Sequence, residues 1–186
     1  MSHPLRFPRW IVDAGFGLAL AVVLPVAFHR LGLGPALLPM HLPVLLTGAL
    51  AGPGAGSLVG VLAPAASHFA TGMPPIIPPV APLMTVELTA YGFVAGAARA
   101  ALGTPRMRNR VSPLALEYAW LVAALLAGRI ALGIAAAVAG PALGLSLPAV
   151  AYLKGAVLSG LPGLAVQLAL IPVLMTHLQR VPRRAL

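Results

Sequence analysis

Long apolar runs separated by short polar segments dominate the chain. Several of these runs approach the roughly 20 residues that an α-helix needs to cross a bilayer, and the second is short for a span. Prolines inside the third and last runs predict kinks. The pattern predicts an all-α integral membrane protein, a single domain over residues 1–186 that forms a six-transmembrane-helix bundle with kinked helices. The predicted spans are residues 10–28, 40–51, 55–70, 82–98, 114–139 and 147–175.

The composition supports the membrane assignment. The chain is 60% hydrophobic and only 8% charged, whereas soluble domains carry about a quarter charged residues. It contains no cysteine, which excludes disulfides, thiolate metal sites and cysteine nucleophiles. The net charge of +9 comes mostly from arginines in short segments beside the apolar runs. That distribution is typical of membrane topology, so we expect the lipid bilayer, and not nucleic acid, as the partner of these charges.

The arginines also predict the orientation. In a six-span topology Arg6, Arg9, the four arginines of segment 99–113 and the three of the tail share one face, while Arg30 is alone on the other. By the positive-inside rule both termini are then cytoplasmic. The outer loops are therefore expected at residues 30–39, 71–81 and 140–146.

An interfacial belt is expected where the fifth run begins. Glu117, Tyr118 and Trp120 stand there, and aromatic side chains are enriched where a span meets the water interface.

Three charged residues fall where hydrocarbon is expected, namely Glu87, Arg129 and Lys154. A charge inside a membrane segment is costly and usually faces a bundle interior or a watery cavity, which makes each a candidate for a functional site. The predicted topology places all three in the outer half of the membrane. Met84 and Tyr91 stand at i−3 and i+4 from Glu87 and share its helix face.

Two interpretations of the three charges remain open. In the first, Glu87 pairs with Arg129 or Lys154 and holds helices together, because buried charges are paired as a rule. In the second, two cations and one anion leave a positive charge for an anionic ligand to neutralise. The second interpretation predicts a ligand with a carboxylate or phosphate, held by Lys154 and Arg129.

His41 and His68 are expected near the outer surface, where they join the candidate substrate-binding residues. With Met40 and Met73 they form a candidate metal site, but lone histidines at the ends of spans are more often hydrogen-bonded structural groups. We therefore expect no metal and no cofactor. The sequence also lacks an H-E-x-x-H motif and a glycine-rich phosphate loop followed by lysine, so no catalytic residue is predicted and an enzyme is not expected.

The first run carries small residues four apart, Gly15 with Ala19 and Gly17 with Ala21. This spacing lets another helix approach closely in lipid. It predicts a face on which a partner helix docks.

Residues 40–96 resemble the substrate-binding membrane subunit, or S component, of energy-coupling factor (ECF) vitamin transporters. The motifs that carry the resemblance are M-H-L-P-V at 40–44, G-P at 52–53, T-G-M-P-P at 71–75 and E-L-T-A-Y-G at 87–92, joined by A-G-R at 127–129 and L-S-G-L-P-G at 158–163. The resemblance implies a six-helix subunit in the plasma membrane of a prokaryote. It implies capture of a vitamin or vitamin precursor at the outer end and docking on a transmembrane coupling protein driven by two cytoplasmic ATPases.

The resemblance also implies roles for particular residues. The coupling protein would dock on an A-x-x-x-A face of the first span, to which Gly15/Ala19 and Gly17/Ala21 both correspond. The internal M-H-L-P at 40–43 differs from the amino-terminal motif of nickel and cobalt members, which favours an organic vitamin. The surplus cation favours an acidic one such as pantothenate.

The alternative is a self-sufficient secondary carrier or intramembrane enzyme with Glu87, Arg129 and Lys154 as its polar site. A carrier would more often show two related halves, and the sequence has no convincing internal repeat.

Overall fold

In the computed structural model the described residues are 8–30, 32, 37–76, 80–142 and 148–180. Every regular element in these ranges is a helix, so the predicted all-α class is confirmed. The arginines at 6, 183 and 184, on which the predicted orientation partly depends, lie outside the described residues, as do parts of the three predicted outer loops. The helices are α1 Arg9–Arg30, α2 His41–Ala51, α3 Pro53–Thr71, α4 Val80–Leu102, α5 Pro105–Arg108, α6 Pro113–Ala142 and α7 Ala149–Arg180.

Four of the described helices are long and apolar enough to cross a membrane: α1, α4, α6 and, up to Leu178, α7. Helix α2 is apolar but has only 11 residues, and α3 is not among the four. Six membrane crossings therefore stay a prediction. The prolines that suggest kinks lie inside helices, at Pro64 in α3 and at Pro162 and Pro172 in α7.

Helix α4 is the centre of the bundle, since it packs against α2, α3 and α6. Where α3 crosses α4 the two backbones touch: a Cβ added at Gly92 would lie 2.2 Å from the Gly56 carbonyl oxygen. A Cβ at Gly60 would lie 2.5 Å from the Leu88 carbonyl oxygen, and one at Gly96 would lie 2.4 Å from the Pro53 nitrogen. The G-x-x-x-G pairs 56–60 and 92–96 thus face each other, the arrangement that lets helices in lipid approach closely.

Helix α2 joins the same crossing through its own glycine. A Cβ at Gly48 would lie 2.2 Å from the Gly92 carbonyl oxygen. The turn between α2 and α3 is Gly52, whose φ of 98° favours glycine. Its N–H donates to the Gly48 carbonyl oxygen at 3.0 Å, so the hairpin is closed beside the crossing.

Glu117 and Trp120 face the interior, so the expected interfacial belt is wrong for both. Trp120 is 1% and Glu117 5% exposed, and the Trp120 Nε1–H donates to Glu117 Oε2. Arg99 explains this orientation: its Nη1 donates to the Ala49 carbonyl oxygen at 2.8 Å, and its Nε lies 3.8 Å from Glu117 Oε2. The polar start of α6 therefore closes one end of the bundle across α2 and α4. Tyr118 stays exposed.

We expect Gly92→Ala to destabilise the protein, because the new methyl group meets backbone that cannot move independently of α3. Overpacking of this kind costs about 1–3 kcal/mol. Thermal unfolding of the detergent-solubilised protein measures the effect.

The matched control is Gly155→Ala on α7, where an added Cβ meets nothing within 4 Å. This change should leave the melting temperature unchanged or slightly raised, since alanine favours a helix over glycine. Equal melting temperatures for the two variants would contradict the backbone contact.

Candidate functional site

Glu87 is at the centre of a buried polar cluster. It lies on α4 and is only 3% exposed. Arg129 Nη1 of α6 lies 2.9 Å from its Oε1, and the Tyr91 hydroxyl donates to the same oxygen at 2.9 Å. His41 Nε2 lies 3.8 Å from the other oxygen, Oε2. The carboxylate is thus neutralised by one arginine, bonded by one hydroxyl and faced by one imidazole.

Glycine at position 128 makes room for this cluster. A Cβ there would lie 2.2 Å from Cε1 of the Tyr91 ring, so only glycine lets that ring lie flat against α6. The next residue is Arg129, which the same contact brings to Glu87. On the other side the His41 ring lies 5.3 Å from the Tyr91 ring, tilted by 58°.

Lys154 is not part of this cluster. Its side chain is exposed on α7, and none of the ion pairs within the described ranges involves it. Glu87 therefore pairs with Arg129. Lys154, the second cation expected in the interior, lies on the exposed side of α7. The pairing agrees with the first interpretation for Glu87 and Arg129; a role for any of the three in binding ligand remains a prediction.

A cavity of about 400 Å³ adjoins the cluster. Its size falls within the range of about 300–1,000 Å³ typical of small-molecule sites. His41 and Met84 line it, and through His41 it adjoins Glu87. The lining comes from the end of α1, the start of α2, the end of α3 with the following loop, and the start of α4: Pro25, Val26, His29, Arg30, Leu38, Pro39, Met40, His41, Ser67, Thr71, Met73, Pro74, Pro75, Val80 and Met84.

The segment just before α2 forms part of the wall of this cavity and also packs on α7. A Cβ at Gly163 would lie 2.7 Å from the Leu37 carbonyl carbon, and one at Gly160 would lie 3.0 Å from Leu38 Cδ1. Gly160 stands eleven residues after Ala149, about 16 Å along α7. Leu37 and Leu38 therefore lie well inside the bundle rather than at the level of the helix ends.

His68 does not line the cavity, but it supports the loop that forms another part of the cavity wall. Its Nδ1 lies at hydrogen-bond distance, 2.9 Å, from the Pro74 carbonyl oxygen. Thr71 supports the same loop: its hydroxyl donates to the Ser67 carbonyl oxygen at 2.7 Å and accepts from the Met73 N–H at 3.2 Å. These bonds fix residues 72–75 against the end of α3. Among the described residues no group of three or more histidine, cysteine, aspartate or glutamate side chains is placed to hold a metal.

The small residues of α1 fall on two different faces. Gly17 and Ala21 are buried, and a Cβ at Gly17 would lie 2.0 Å from Thr47 Oγ1 of α2. Gly15 and Ala19 are exposed, and a Cβ at Gly15 would meet nothing within 4 Å. The Gly17/Ala21 pair is thus used within the chain, and the Gly15/Ala19 pair is open to another helix.

Most of the chain matches a known protein family. Residues 9–182 match the family described as ECF transporter, substrate-specific component. No curated protein and no solved structure matches the chain significantly. The match covers nearly the whole chain, so the protein belongs to this family.

Membership of the family fixes the general function. The chain is a multi-pass membrane protein, the substrate-binding subunit of an ECF transporter, which works with an ECF coupling module and its ATPases on a small-molecule substrate. Subunits of this kind are transporter components and not enzymes. The resemblance noted in the sequence is thereby confirmed.

The contacts between different helices in this site are not evident from the sequence. In particular, no pattern in the sequence indicates that His41, which is 2% exposed, faces Glu87. Gly128, directly before Arg129, is the signal that could have indicated close packing there, since glycine beside an intramembrane charge leaves room for a neighbouring ring. The G-x-x-x-G pairs of α3 and α4 were equally visible in the sequence.

We expect Arg129→Met to destabilise the protein by about 3–5 kcal/mol, because it leaves the Glu87 carboxylate buried without its cation. The double variant Glu87→Gln, Arg129→Met should regain a large part of the lost stability, since no uncompensated charge remains. Thermal unfolding in detergent measures both effects.

Lys154→Met is the matched control for the loss of a cation. Because Lys154 is exposed and outside the cluster, the melting temperature of the Lys154→Met protein should stay close to that of the wild type. If Lys154→Met lowered the stability as much as Arg129→Met, Glu87 would depend on both cations.

Proposed function

We propose that this subunit captures a vitamin or vitamin precursor in the cavity between α1, α2, α3 and α4 and delivers it to the coupling module. The observation that carries the proposal is the position of the cavity, which adjoins the buried Glu87–Arg129 pair through His41. A polar group buried beside an apolar pocket gives a ligand a fixed orientation, which is how small-molecule sites obtain specificity.

The charges around the cavity support an anionic ligand. Arg30 and His29 lie at its edge, and no acidic side chain is among its described lining residues. An acidic vitamin such as pantothenate fits this balance. We infer that His41 and Met84 contact the ligand. The Tyr91 ring packs against the His41 ring, and Arg129 and the Tyr91 hydroxyl hold Glu87 behind it.

The proposed orientation puts both termini in the cytoplasm and the cavity at the outer face of a prokaryotic plasma membrane. It agrees with the many arginines on the predicted inner side and the single Arg30 on the other. In this orientation a ligand enters from outside, as an importer requires.

The exposed Gly15/Ala19 pair is the proposed docking face for the coupling protein. In lipid, small residues let two helices approach closely enough for van der Waals contact. The buried Gly17/Ala21 pair already contacts α2 through Thr47, so we do not assign it to a partner. Two ATPases bound to the coupling protein would supply the energy for transport.

Filling the cavity should abolish ligand binding. Met84→Trp places an indole into the cavity wall, whereas Val86→Trp, two residues further along α4, places it on the exposed side. Native mass spectrometry of the purified protein, followed by thermal shifts with a panel of vitamins, identifies a ligand for the wild type. Binding that survives Met84→Trp as well as Val86→Trp would place the ligand elsewhere.

Blocking the docking face should abolish assembly and leave ligand binding intact. Ala19→Leu adds bulk at the exposed small pair, and Ala151→Leu adds the same bulk at an exposed position of α7. Co-purification with the co-expressed coupling protein and ATPases measures assembly. We expect only Ala19→Leu to prevent it; assembly of both variants would exclude this face.

A further inference from the structure

His41 has hydrogen-bonding capacity that the rest of the described chain does not use. It is 2% exposed and lines the cavity, and neither ring nitrogen has a hydrogen-bond partner among the described residues. The nearest charged atom, Glu87 Oε2, is 3.8 Å from Nε2, which is beyond hydrogen-bond distance. A buried polar group without a partner is costly, so the position of His41 at the cavity points to a ligand that supplies one.

The surrounding charges indicate which kind of partner His41 can accept. Glu87 is neutralised by Arg129 and bonded by Tyr91, so the one carboxylate near His41 already has its own partners. The described cavity lining includes the cation Arg30 and no acidic side chain. An anionic group beside His41 therefore meets no carboxylate in the cavity lining.

His41 also lies at the start of α2, where the helix dipole favours negative charge. It is the first residue of this 11-residue helix, and Met40 before it provides no side-chain cap. The His41 backbone N–H donates to the Leu38 carbonyl oxygen at 3.0 Å and Pro43 has no N–H, so the hydrogen bond to an anion is left to the imidazole. Met40 and His41 both line the cavity, so the helix start and the imidazole lie at the same part of its wall.

The remaining wall is suited to an apolar molecule. Met40, Met73 and Met84 line it together with valines and prolines, and Ser67 and Thr71 add two hydroxyl groups. The Thr71 hydroxyl is already bonded to the Ser67 carbonyl oxygen and the Met73 N–H. Thioether side chains are flexible and polarizable, and they adapt to apolar ligands of irregular shape.

We propose that the ligand is a carboxylic acid with an apolar ring or chain, whose carboxylate binds the His41 imidazole at the start of α2 while its apolar part contacts Met40, Met73 and Met84. This inference rests on the proposed function, since it concerns the same cavity. It moves recognition of the anion from Lys154 and Arg129 to His41. It also favours an acid with few hydroxyl groups over the more polar pantothenate.

The test compares acids with their uncharged analogues. Lipoate and lipoamide, biotin and biotinamide, and pantothenate and panthenol are titrated into the purified full-length protein by isothermal calorimetry. For the acid that binds, we expect the wild type to prefer it over its analogue by about ten-fold or more, which a charge-assisted hydrogen bond can provide. His41→Gln should reduce this preference to about two-fold or less, whereas His177→Gln, an exposed histidine on α7, should retain it.

The outcomes separate this inference from the proposed function. Binding of an acid and its analogue with equal affinity to the wild type would overturn carboxylate recognition and leave vitamin capture standing, whatever the His41 variant does. A full preference in a His41→Gln protein that melts like the wild type would place the carboxylate elsewhere. If no acid and no analogue binds the wild type, this inference fails, and vitamin capture fails with it if the wider vitamin panel also gives no binding.

Discussion

Direct contact between glycine backbones is the constraint on which the rest of this bundle depends. Lipid is as apolar as leucine, so helices in a membrane gain little from hiding apolar side chains from each other and associate instead through close packing and polar contacts. Here the carbonyl oxygens of Gly56 and Gly92 lie where a side chain would otherwise be. This contact fixes how far α3 and α4 can slide along each other. Since Gly48 touches Gly92 as well, it fixes α2 at the same time.

The polar cluster follows from that fixed register. Tyr91 is the residue before Gly92, and Glu87 is one turn before Tyr91. The contact that fixes the position of Gly92 along the helix axis therefore fixes the positions of Tyr91 and Glu87 as well. A second glycine contact, at Gly128 against the Tyr91 ring, then brings Arg129 to the carboxylate. Tyr91 and Arg129 are therefore each next to a glycine that makes a close contact, and Glu87 is one turn before Tyr91. The buried ion pair is thus positioned by backbone packing, and mutual attraction of the charges does not have to position it alone.

The helical class, the approximate helices and the importance of Glu87 could be predicted from apolar runs and misplaced charges. The pairing of Glu87 could not be predicted, because Arg129 and Lys154 are expected at similar depth and the rotation of their helices is not evident from the sequence. Rotation is hard to infer in this chain because the faces toward lipid and toward the core are both apolar. Trp120 and Lys154 illustrate the difficulty: the expected interfacial tryptophan is buried and the expected buried lysine is exposed. The contacts between distant residues that decide these orientations leave only weak local signals.

The shortness of α2 explains why the bundle contains a cavity at all. Its 11 residues extend about 16 Å, roughly half the thickness of a bilayer's hydrocarbon core. Helix α4 continues from Glu87 back to Val80, about 10 Å further, with no α2 beside it. The cavity lies at this end of α4, and Leu38, Pro39 and Met40, which directly precede α2, form part of its wall. Because these residues are not part of α2, substitutions there would reshape the cavity while the helix crossing at Gly48, Gly56 and Gly92 stays as it is. The shape of the cavity and the packing of the bundle are therefore set by different parts of the chain.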